Sequence, residues 1–115
     1  MIAAICQYVA GAFLLIGAVF SLLASAGILR FPDLYTRLHA ATKAGTVGAG
    51  FVLLAIAVSA FDLSVALRAL VGLAFLVLTS PIAAHLLARA AYLAGEKPSN
   101  ITVVNDLESE APNER

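Results

Sequence analysis

The chain has 115 residues, a net charge of zero, 62% hydrophobic residues and only 12% charged ones. Soluble domains run at roughly 45–50% apolar and 25% charged, so a water-soluble fold of this size could not cover itself with polar surface. Cations scattered over helix ends form no basic stripe, which argues against nucleic acid binding.

The first predicted element is a helix over about 2–29, in a stretch from Met1 to Leu29 that carries no Asp, Glu, Lys or Arg. A spanning helix needs about 20 apolar residues. Ala24-Ser25-Ala26 resembles a signal-peptide cleavage site, but there is no basic n-region and the apolar run is too long for one. The expectation is a retained helix. Cys6 is the only cysteine, which excludes an internal disulfide, and it reads as a small hydrophobe.

Next comes a polar knot, Arg30-Phe-Pro-Asp-Leu-Tyr-Thr-Arg-Leu-His-Ala-Ala-Thr-Lys43, with three cations, one carboxylate and one histidine. On a helical turn Arg30 and Arg37 would both reach Asp33. Pro32 suits the first turn of such a helix. The segment reads as a short interfacial helix or as a lead-in to the second spanning helix. Its arginines and Tyr35 could anchor it among lipid headgroups. Alternatively, Arg30, Asp33, Arg37 and His39 could fasten the chain to another subunit.

A second helix is predicted over about 44–61 and a third over about 64–93, joined so tightly around Phe61-Asp62-Leu63-Ser64 that they must form an antiparallel hairpin. Asp62 and Ser64 suit its turn or the N-cap of the third helix. Small residues at Gly17, Ser21 and Ser25, and at Ala40, Ala44 and Gly48, suggest close helix packing. In the third helix Pro81, His85 and Arg89 fall at successive i+4 positions on one stripe. Pro81 removes the hydrogen bond to the Val77 carbonyl, which Thr79 and Ser80 could help satisfy. His85 is either a proton-relay candidate or a neutral partner in a helix contact.

Residues 1–95 thus form an all-α, three-helix integral membrane domain, with a short interfacial segment between helices 1 and 2. Residues 96–115 form a polar tail with five carboxylates against two cations. A β-branched run, Ile101-Thr-Val-Val104, lies within that tail. The first loop and the tail hold Arg30, Arg37, Lys43, Arg89, Lys97 and Arg115, whereas the opposite side holds only Arg68. The positive-inside rule then predicts an external N-terminus and a cytoplasmic C-terminus. No carboxylate or lysine lies near the membrane midplane to carry an ion. No phosphate loop, metal cluster, cofactor site or nucleophile–base pair is present in the sequence. The chain reads as a helper in an assembly, not as an enzyme.

Two motifs carry a family resemblance. Arg30-Phe-Pro-Asp-x-Tyr-x-Arg-Leu-His-Ala-x-Thr-Lys43 resembles the loop signature of the small G subunit of Mrp-type multisubunit sodium/proton antiporters. Ser80-Pro-Ile-Ala-Ala-His-Leu-Leu-Ala-Arg-Ala-Ala91 resembles that family's third-helix signature. The likeness runs from about Gly11 to Tyr92. It implies a bacterial inner-membrane complex exchanging sodium or another monovalent cation for protons. Large subunits similar to those of respiratory complex I would carry the transporting residues there, beside small E and F subunits. Arg30, Pro32, Asp33, Arg37, His39, Thr42 and Lys43 carry over as the loop signature; Pro81, His85 and Arg89 carry over as the helix signature. The resemblance implies an accessory or structural subunit, in contact with membrane lipid and contributing helix surface to a shared cation path. A competing reading is a self-assembling, holin-like pore, which leaves the polar knot unexplained. A lone secondary transporter is disfavoured by the missing embedded carboxylate.

Overall fold

A computed structural model describes residues 1–95. The acidic tail, with its β-branched run and the tail cations, lies outside the described residues. Three helices make up the fold: α1 (Ile2–Arg30), α2 (Leu34–Ser59) and α3 (Leu63–Leu93). All three are long and apolar enough to cross a membrane.

Local chemistry sets each boundary. A residue before proline is pushed out of the helical region, and Phe31, preceding Pro32, is extended at φ −76°, ψ 136°. Asp33 then caps α2. The second helix therefore starts ten residues before the apolar run at Ala44, and the polar knot is a direct lead-in. Its 26 residues rise roughly 39 Å, against about 30 Å of hydrocarbon, so the charged first turns can stand outside the lipid core. Pro32 sits one residue before the cap, outside the helical turn expected for it.

At the other end Phe61 takes a left-handed conformation at φ 49°, and Asp62 caps α3 by accepting from the Ser64 amide at 2.8 Å. The third helix runs without a break through Pro81 and closes at Gly95, whose φ of 103° is one that a residue with a Cβ rarely adopts. There the Gly95 amide donates to the Tyr92 carbonyl at 3.2 Å.

The middle helix is α2, packed against α1 on one side and α3 on the other. The α1 seam buries Ala10, Gly17 and Ala24 at seven-residue spacing, together with Gly27. A Cβ on Gly17 would stand 2.8 Å from the Gly48 carbonyl, so the two backbones touch. Phe51 fills the adjoining space against Phe13 and Phe20, with ring centroids 5.7 and 6.3 Å away. The seam takes Gly17 and Ser21, both against Gly48, from the expected Gly17, Ser21, Ser25 row, and continues through Ala24 rather than Ser25. Ser25 is exposed, and its hydroxyl donates to the Ser21 carbonyl at 2.9 Å.

The outer faces of α1 and α3 remain open, with Leu15, Leu22 and Leu29 exposed on one and Phe75, Leu78 and Ile82 on the other. Such surface would be an aggregation hazard in water, but it suits lipid or neighbouring helices.

Candidate functional site

The polar knot is organised around the start of α2. Asp33 is only 8% exposed, and its Oδ1 accepts from the Tyr35 amide at 3.3 Å. Its backbone carbonyl takes the Thr36 hydroxyl at 2.9 Å and the Arg37 amide at 3.0 Å. Arg37 turns back along the chain, and its Nε donates to the Phe31 carbonyl at 2.7 Å. Cap and guanidinium thus tie the 31–33 link to the first turns of α2. Capping supplies a reason for an aspartate here that the spacing of the two arginines does not suggest. An aspartate just ahead of a helical apolar pattern is the available signal.

Further along α2, Thr42 donates its hydroxyl to the Leu38 carbonyl at 2.8 Å, while His39 and Lys43 stay exposed. The side chains of Thr46 and Ser80 meet between α2 and α3 at 2.6 Å. On α3 the Thr79 hydroxyl donates to the Phe75 carbonyl at 2.6 Å. Neither hydroxyl therefore serves the Val77 carbonyl that Pro81 leaves without its usual donor; Ser80 is a cross-helix partner instead.

Around that contact α2 and α3 leave an open groove of about 610 Å³. His39, Thr42, Lys43 and Val47 line it from α2, and Val77, Pro81 and Ala84 from α3. The groove joins the end of the loop signature to the beginning of the third-helix signature. His85 and Arg89 lie outside its lining and are exposed. Among the described residues, no three His, Cys, Asp or Glu side chains are grouped to hold a metal ion.

A model of the Na+/H+ antiporter subunit family matches residues 13–92, which takes in both motifs, all of α2 and most of α1 and α3. The chain belongs to that family. The G subunit of the Na+/H+ antiporter of Alkalihalophilus pseudofirmus is 44% identical over 85 residues, covering 72% of this chain and 71% of its own. Among solved structures, a chain of the Mrp complex from Dietzia sp. superposes with a TM-score of 0.83 at 30% identity, covering 90% of this chain and 94% of its own. A chain of the membrane-bound sulfane sulfur reductase, an archaeal respiratory membrane complex, superposes at 0.79 with 36% identity, covering 90% and 96%. This three-helix fold therefore occurs in more than one kind of membrane assembly.

Proposed function

We propose that this chain is an accessory, structural subunit of a multisubunit sodium (monovalent cation)/proton antiporter in a bacterial inner membrane. One observation carries the reading: both carboxylates among the described residues, Asp33 and Asp62, cap helices at their ends. Neither is placed inside a spanning segment, where an ion carrier needs a group that binds and releases charge. Groups that do the transport belong, on this reading, to large complex-I-like partner subunits. This chain supplies helix surface beside them and beside small E- and F-type subunits. It is a transporter component rather than an enzyme.

The open faces of α1 and α3 support the same reading, because three helices in a layer leave most of their apolar surface for other occupants. The first loop faces the cytoplasm in this proposal, following its excess of basic residues. Occurrence of the same fold in a respiratory complex fits a role in assembly more readily than one tied to a single ion.

Mild-detergent purification of the tagged chain from its native membrane, with mass spectrometry of what accompanies it, tests the proposal. Several large and small membrane subunits in fixed ratio are expected. A homo-oligomer of this chain alone would overturn it and favour the pore reading.

A further inference from the structure

The groove between α2 and α3 has a chemistry that assembly alone does not use. Its basic groups stand at one end: His39 and Lys43 are one turn apart on α2, exposed, and close to the charged start of that helix. Among the described residues no carboxylate forms an ion pair with Lys43. Ala84 lies level with the basic pair, four residues beyond Ser80 as Thr42 is four residues before Thr46. Moving away from that end, the lining becomes apolar with Pro81, Val47 and Val77, and its hydroxyls are already engaged, Thr42 with Leu38 and Thr46 with Ser80. From Lys43 to Val47 the helix rises roughly 6 Å, so on α2 the apolar lining begins about one helical turn past the cation. A cationic mouth beside a short apolar slot complements one kind of amphiphile, the phosphate meeting the cation and the first part of an acyl chain entering the slot.

We propose that this groove binds an anionic phospholipid, with the phosphate at Lys43 and His39 and an acyl chain along Pro81, Val47 and Val77. The charge and the slot must act together. A zwitterionic lipid would gain less from the basic pair, because its own ammonium offsets the phosphate, and a soluble phosphate would leave the apolar slot empty. The lipid would brace α2 against α3 on the flank of the Thr46–Ser80 hydrogen bond.

The test uses the intact purified assembly in phosphatidylcholine nanodiscs doped with a phosphatidylglycerol that carries a photoreactive group on its acyl chain. Labelled residues are mapped by mass spectrometry. Labelling is expected at Pro81, Val47 or Val77, competed by unlabelled phosphatidylglycerol and far less by phosphatidylcholine. Lys43→Gln should weaken it about fivefold, the equivalent of roughly 1 kcal/mol for one basic residue at an anionic surface, and Lys43→Arg should retain it. Equal competition by both lipids would overturn the proposal, as would full labelling in Lys43→Gln. Labelling of the outer α3 face with none in the groove would also overturn it and assign the slot to a partner's helix. If Lys43→Gln fails to assemble, the competition between the two lipids in the unaltered complex still decides.

Discussion

Thr46 and Ser80 share a hydrogen bond of 2.6 Å, linking the central helix to α3 about midway along both. In lipid the alternatives for either hydroxyl are its own helix backbone or nothing. Such interhelical bonds average only about 0.6 kcal/mol in membrane double-mutant cycles, because the separated helices also find partners. Thr46→Val and Ser80→Ala are therefore each expected to lower the thermal stability of the purified assembly modestly. Their double variant should show a coupling near that value. Strict additivity, measured by thermal unfolding in detergent, would mean the contact contributes nothing.

Gly48 has a larger expected effect. A Cβ there would meet the Ser21 hydroxyl at 2.7 Å, the Gly17 carbonyl at 3.0 Å and the Ser21 amide nitrogen at 3.1 Å. Two of those atoms are backbone, so α1 and α2 must separate to admit a methyl group. Overpacking of this kind costs about 1–3 kcal/mol. Gly48→Ala should accordingly reduce recovery of the assembled complex. Gly11→Ala is the control: its Cβ would meet nothing within 4 Å, and a helix interior with room for the methyl gains up to about 1 kcal/mol from the exchange. Equal recovery of both variants would contradict close packing at Gly48.

Much of this architecture is legible in the sequence because lipid narrows what a chain can do: apolar length alone yields three crossings, and Asp62 marks its own helix start. The start of α2 is less legible. Charged residues usually signal the end of a span, so the apolar run at Ala44 hides a helix that begins at Leu34. Its first ten residues carry Arg37, His39 and Lys43 among apolar ones, roughly 9 Å of the helix exceeds the hydrocarbon, and no hydropathy pattern separates such turns from a loop. Ser25 falls off the seam for a different reason. A four-residue stripe and a seven-residue seam both pass through Gly17, and only the position of α2 selects Ala24 over Ser25. The groove is not legible at all, since bringing Lys43 and Ala84 into one lining depends on the register of the α2–α3 hairpin.

Asp33 separates two explanations of the polar knot. As an N-cap it needs an acceptor oxygen and not a charge, so Asp33→Asn should assemble as well as the parent chain. Asp33→Ala removes the acceptor for the Tyr35 amide at a buried position and should cost about 1 kcal/mol. The expected readout is lower recovery of the complex with antiport reduced in proportion. Normal recovery with lost antiport would instead assign Asp33 a direct part in transport. Equal damage from Asn and Ala would show that the charge matters more than the cap.

His85 is the remaining ambiguous residue, and its surroundings sharpen the question. It is exposed on α3, outside the groove, with no hydrogen-bond partner among the described residues. A histidine acting as a helix–helix contact would have to find that contact in a neighbouring subunit. Glutamine retains a donor and an acceptor of similar reach but cannot carry a proton through a titration. His85→Gln should therefore preserve assembly and leave the pH profile of cation/proton exchange unchanged in everted vesicles. His85→Leu should reduce assembly if a partner's polar group meets the ring, because that group would then be left unsatisfied. A displaced pH profile in the Gln variant, at normal complex yield, would make His85 part of a proton path.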